Sequence, residues 1–127
     1  MKRDRFLRLL EELQAEEVQI NTTKGIEYAG PDDALLNFKE AAKYLGVSPL
    51  LIALVYMHKH FKALTTYVYF GKTLSNEDIK SRVCDLRLYT ALFYALAVEE
   101  RRGKWYAYFG VEGFLSIVRR IRRWLQI

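Results

Sequence analysis

Apolar side chains recur every three or four positions along most of this chain. Phe6, Leu9, Leu10 and Leu13 fall at i, i+3, i+4 and i+7 with charges between them, which predicts a helix over residues 3–19. Asn21-Thr22-Thr23 is expected to end it. The segment KGIEYAGPDD (24–33), punctuated by Gly25 and Gly30-Pro31, reads as loop. A second helix is predicted over 34–45, stopped by Gly46. Ser48-Pro49 is a restart signal, a capping hydroxyl followed by proline at the first helical position. The third helix then runs to about residue 70, its end weakened by the β-branched Thr65, Thr66 and Val68. Ser75 is expected to cap a fourth helix, with Glu77 and Asp78 in a first turn where the helix dipole favours acids. This helix continues to about residue 101. KWYAYF (104–109) is aromatic enough for a short strand but has no clear partner, and a last amphipathic helix is predicted over 111–125. No two strand-like runs are joined by a hairpin turn, so the predicted class is all-α: a four-helix bundle with an additional basic C-terminal helix.

Composition sharpens this picture. At 127 residues, 51% hydrophobic and 28% charged, the chain reads as a single folded domain, and only seven Gly and two Pro favour long helices. The single cysteine, Cys84, rules out an intramolecular disulfide and fits a small core residue in a reducing compartment. The opening residues carry too many acids to read as a signal peptide, and the apolar run 49–57 meets His58, Lys59 and His60 before it is long enough to span a bilayer. Charge is uneven. Arg101, Arg102, Lys104, Arg119, Arg120, Arg122 and Arg123 face Glu112 alone after residue 100, so the net +5 of the chain belongs to that extension.

Recognisable catalytic motifs are absent: there is no glycine-rich phosphate loop, HExxH or cysteine cluster. What stands out is a polar set on otherwise apolar helices. Asp85 and Tyr89 are spaced i, i+4 and share one face of the fourth helix. A carboxylate inside an apolar helix needs a partner, which is either a metal or ligand, or an ion pair with Arg82 or Arg87. Asn37 and Glu40 on the second helix, and Lys59 and Lys62 on the third, are each i, i+3. If the faces converge, Glu40 and Asp85 form a carboxylate pair suited to Mg²⁺, and the lysines suit phosphate. His58 and His60 lie two apart on different faces, which argues against a joint metal site.

The succession KGIEY (24–28), NFKEAAKYLGVSP (37–49), MHKHFKAL (57–64) and EDIKSRVCDLRLYTALFYAL (77–96) resembles the small phage proteins of the nucleotide modification associated, MazG-like group. These are similar to the all-α nucleoside triphosphate pyrophosphatases. The resemblance spans about residues 20–100. It implies nucleotide binding by Lys24, Tyr28, Asn37, Lys59 and Tyr89, with Asp85 as the catalytic acid and a ligand to Mg²⁺; the converging polar faces add Lys62 toward the nucleotide's phosphates and Glu40 toward the metal. In that superfamily water attacks between the α and β phosphates and pyrophosphate leaves. Active pyrophosphatases carry ExxE on one helix and ExxD on the next. Here NFKE supplies only Asn37 and Glu40, and Arg82 stands where the second acid belongs. Whether hydrolysis survives beside binding is therefore left open.

The extension offers other readings. Phe114, Ile117, Val118, Ile121, Trp124 and Leu125 form an apolar stripe interleaved with Arg119, Arg120, Arg122 and Arg123. Such a helix either docks on the bundle with its arginines in water, or contacts the phosphate backbone of a nucleic acid. A non-catalytic bundle that engages a host or virion protein is a third class. The apolar third and fourth helices further predict a homodimer, and the expected location is the cytoplasm, that of an infected host cell if the protein is viral.

Overall fold

The computed structural model describes residues 1–102, with Arg119, Arg120 and Arg123 beyond them. Every regular element among the described residues is helical. The segment 104–109, Arg122 and most of the last predicted helix lie outside them.

Helix α1 (Arg3–Ile20) does not stop at Asn21-Thr22-Thr23. It widens into a π-helical turn, Asn21–Gly25, and runs on as the short α2 (Ile26–Ala29). The loop expected at 24–33 is thus helical for its first six residues. Threonine hydroxyls explain the correction. Thr22 Oγ1 donates to the Val18 carbonyl at 2.9 Å and Thr23 Oγ1 to the Gln19 carbonyl at 2.8 Å, so the side chains serve the backbone groups that a wide turn strains. The break comes at Gly30, whose φ of 82° suits glycine, followed by Pro31.

Asp33 then accepts from the Leu35 N–H at 2.9 Å, and α3 (Leu36–Leu45) begins two residues later than predicted. Gly46 ends it in the left-handed conformation. Helix α4 (Pro49–Phe70) starts as the sequence predicts. Ser48 Oγ accepts from the Leu50 N–H at 3.1 Å and donates to Glu100 at 3.3 Å, tying the head of α4 to the tail of α5 (Ile79–Arg102). Burial pushes the Glu100 carboxyl up, and the Ser48 bond opposes that. The expected cap of α5 is moved by three residues. Asp78, not Ser75, accepts from Ser81 N–H at 2.8 Å, while Ser75 takes a hydrogen bond from Arg82.

Helices α4 and α5 form the most extensive pair, with α3 packed on α4 and α1 along α5. The core between α3, α4 and α5 contains Leu35, Phe38, Ala42, Ile52, Ala53 and Leu96. Phe38 is 1% exposed and meets Tyr56 and Tyr89 edge-on, both with centroids at 6.1 Å. Burial of such a side chain is worth about 1.5–3 kcal/mol. On the other side of α5, Cys84 is buried with its thiol 3.9 Å from the Leu13 carbonyl, and burial raises its pKa. Lys80–Glu16 at 2.8 Å and the Arg87–Glu17 pair flank this contact and hold α1 in place. No single described helix is long and apolar enough to cross a membrane.

Candidate functional site

A cavity of about 470 Å³ opens between the π turn, α3, α4 and α5. The wide turn brings Asn21, Lys24 and Tyr28 to its rim, and Gly25 leaves room for the Asn21 side chain: a Cβ there would lie 2.8 Å from Asn21 Oδ1, which would have to swing aside. From α3 comes Asn37, from α4 come Tyr56, Lys59 and His60, and from α5 come Arg82, Asp85, Leu88, Tyr89 and Leu92. The i, i+4 spacing of Asp85 and Tyr89 puts both on this one wall, as does that of Tyr56 and His60 on the facing helix.

Three rings form the cavity's aromatic wall. His60 stacks on Tyr89 with centroids 4.7 Å apart and planes 28° apart, and Tyr56 stacks on Tyr89 at 5.6 Å and 21°. Tyr56 remains 41% exposed, so an edge of the stack is open to an incoming ring. Burial pushes the Tyr89 phenol up, and it remains a neutral hydroxyl at pH 7.

The polar lining is incompletely satisfied. Asn37 Oδ1 and His60 Nδ1 are both buried without a hydrogen-bond partner. His60 Nδ1 lies 3.6 Å from Asp85 Oδ2, beyond hydrogen-bond length. Burial pushes the His60 imidazole below its ordinary value of 6.5. Asp85 opposes that shift, while Lys59 and Arg82 add to it. The imidazole is therefore neutral at pH 7, and the contact with Asp85 is not an ion pair. Buried polar atoms of this kind are uncommon in folded proteins and call for a partner, whether a water, an ion or a ligand group.

Asp85 is not engaged by either arginine that the sequence offers it. Arg82 pairs with Glu77 at 2.7 Å and Arg87 pairs with Glu17. With Arg82 and Glu77 neutralising each other, Lys24 and Lys59 face a single free carboxylate, and the lining carries a net positive charge.

Of the residues expected at a site, Lys24, Tyr28, Asn37, Lys59, Asp85 and Tyr89 line this one cavity. Glu40 and Lys62 do not, and both are exposed. The register of α3 explains the first: Phe38 and Ala42 point into the core, and Glu40, between them in sequence, points to solvent. The expected carboxylate pair of Glu40 and Asp85 is thus not assembled across the cavity. Among the described residues no three His, Cys, Asp or Glu side chains gather to hold a metal ion. With one unpaired carboxylate in the lining, the donor set does not fit a resident Mg²⁺ held by protein ligands alone. Tyr56, His60, Glu77 and Arg82 add aromatic and charged groups to the lining without having been assigned to a site from the sequence. The repeat of aromatic and polar residues at i, i+4 in Tyr56–His60, matching Asp85–Tyr89, is the signal that links them.

Arg119, Arg120 and Arg123 are helical and exposed. Compared with protein-family models, curated proteins and solved structures, the chain matches none.

Proposed function

We propose that the cavity binds a nucleotide, in the manner that the resemblance to MazG-like proteins implies. The observation that carries this reading is the pair of orphaned polar atoms, Asn37 Oδ1 and His60 Nδ1, beside an aromatic wall open at Tyr56. A purine or pyrimidine ring offers a π face for the wall and N–H groups for the acceptors. Lys24 and Lys59 at the rim supply positive charge for phosphates. Binding, not hydrolysis, is what these residues support: a lone free carboxylate leaves no second acid to position or deprotonate a water. The reading extends to a homodimer and to a magnesium ion arriving with the phosphates, not waiting in the protein.

The test is a thermal-shift panel of ribo- and deoxynucleoside mono- and triphosphates, with and without Mg²⁺. Wild type is compared with Asp85→Ala and Lys59→Ala. A nucleotide-dependent rise in Tm that Lys59→Ala weakens is expected. No shift with any nucleotide would sink the proposal, and release of pyrophosphate from a triphosphate would overturn the restriction to binding.

A second reading draws on the exposure of Arg119, Arg120 and Arg123. It predicts salt-sensitive binding to DNA or RNA that falls when the three are replaced by alanine. Equal affinity of wild type and variant would rule it out.

A further inference from the structure

The groups that the cavity leaves unmatched are all of one kind. Asp85 is a carboxylate, which only accepts hydrogen bonds, and among the described residues neither of its oxygens receives one. Asn37 Oδ1 is a buried carbonyl oxygen without a donor, and His60 Nδ1 is equally buried and unpartnered. A proton on that nitrogen would draw the carboxylate in. The 3.6 Å gap to Asp85 Oδ2 fits the tautomer with the proton on Nε2 and a lone pair on Nδ1. Three acceptor groups, one each from α3, α4 and α5, therefore line one cavity. The cationic donor beside them is already occupied: Arg82 is held by Glu77 and gives a further hydrogen bond to Ser75.

An acceptor-rich lining selects a donor-rich ligand. A cationic donor, such as an ammonium or guanidinium group, is disfavoured by Lys24 and Lys59, which leave the lining net positive. What fits is a neutral edge of N–H groups carried by an anion. Adenine and cytosine set an amino donor beside a ring-nitrogen acceptor, and uracil and thymine set one N–H between two carbonyls. Guanine sets N1–H directly beside a 2-amino group, so three hydrogens project along one edge. That edge complements a carboxylate, whose two oxygens accept side by side.

We infer, resting on the reading that the cavity binds a nucleotide, that its base is guanine, with Asp85 accepting from N1–H and the 2-amino group. His60 Nδ1, 3.6 Å from Asp85 Oδ2, is within reach of the same amino group, and Asn37 Oδ1 offers the third acceptor. The purine ring lies against the wall of Tyr56 and Tyr89, where its π face is tolerated and its edge is read. A volume of about 470 Å³ is in the range of small-molecule sites, about 300–1,000 Å³. Asp85 then determines which base enters and is neither a metal ligand nor a catalytic acid. This accounts for a free carboxylate with no second one beside it.

Calorimetric titration of the full chain tests the assignment, using the 5′-triphosphates of guanosine, inosine, xanthosine, adenosine, cytidine and uridine with Mg²⁺. The guanosine nucleotide should bind about ten- to a hundredfold more tightly than the inosine nucleotide, which lacks only the 2-amino group. Asp85→Asn keeps the shape of the side chain but turns one acceptor oxygen into a donor. It opposes the 2-amino group of guanine and pairs with the 2-carbonyl of xanthine. The variant should lose at least tenfold toward guanosine and prefer the xanthosine nucleotide over it. A purely structural Asp85 would instead lower every affinity together. Equal binding of guanosine and inosine nucleotides by wild type overturns the inference and leaves nucleotide binding standing, as does a uniform loss in Asp85→Asn. Absence of binding by all six removes the nucleotide reading as well. Should the variant fail to fold, the guanosine-to-inosine ratio of the wild type decides.

Discussion

Two histidines on α4, His58 and His60, lie two residues apart and live in different environments. His60 faces the cavity, is 7% exposed and stacks on Tyr89; His58 is exposed on the opposite side of the helix. The same contrast runs the length of the helix. Its inner face combines a packed core end, at Ile52 and Ala53, with a cavity end whose polar atoms lack partners. Its outer face is apolar and largely exposed among the described residues. An apolar residue on α4 therefore does not announce a core position, and a polar one does not announce solvent. Which face it occupies decides.

Substitutions sharpen that division, beginning with the largest expected effect. Ile52→Ala on the inner face should cost about 2–5 kcal/mol of stability, because neighbours close only partly over the deleted atoms. Val68→Ala on the outer face, where the side chain is 79% exposed, should change stability by no more than about 0.5 kcal/mol. Chemical denaturation at low protein concentration compares the two, and similar losses would erase the contrast.

Next in size is the cavity rim. A charge-assisted contact to phosphate is worth about 1.5–3 kcal/mol, so Lys59→Ala should weaken nucleotide binding about tenfold or more by calorimetry. Lys62→Ala, one turn on but outside the cavity, should leave the affinity unchanged.

A pH titration of stability reads the buried histidine. The His60 pKa in the folded protein lies below its ordinary value of 6.5, so the unfolded chain binds the extra proton first. Its contribution to stability is complete above about pH 6.5 and is lost as pH falls toward and through the folded value. His60→Phe, which keeps the ring against Tyr89, should flatten that acid-side decline.

The smallest effect belongs to a surface bridge. Lys39 reaches Asp33 and Glu99, each at 2.8 Å, and links the start of α3 to α5. Its hydrogen bonds to both acids hold the ammonium pKa up against the opposing effect of desolvation, the larger single influence. Half-exposed pairs of this kind contribute about 1 kcal/mol or less. Lys39→Met should therefore lower the denaturation midpoint slightly, and by less in high salt.

What could be read from the chain follows the range of the interactions involved. Ser48-Pro49, Gly46 and Gly71 mark helix ends through local backbone chemistry, and each marks an end in the structure. Asp85 and Tyr89 were legible as a pair because four residues on one helix fix their common face. The inner position of His60 was not, because it depends on which side of α4 meets α5. Glu40 failed for the same reason. Its spacing from Asn37 is right for a shared face, but Phe38 and Ala42 set the rotation of α3 and turn the carboxylate outward. The continuation past Asn21 was hidden by residues that usually end helices, since their hydroxyls act sideways on the previous turn.

That continuation bears on how the chain tolerates changes in length. A π turn is the way a helix accommodates one surplus residue while keeping both flanks aligned. Deleting Thr22 or Thr23 should relax the segment 21–25 to an ordinary α-helix and leave Lys24 and Tyr28 aimed at the cavity. Inserting a residue a few positions earlier, inside α1, has no such outlet and would swing both side chains about 100° around the helix. The rim of the cavity is thus indifferent to a deletion at one spot and intolerant of an insertion one turn away.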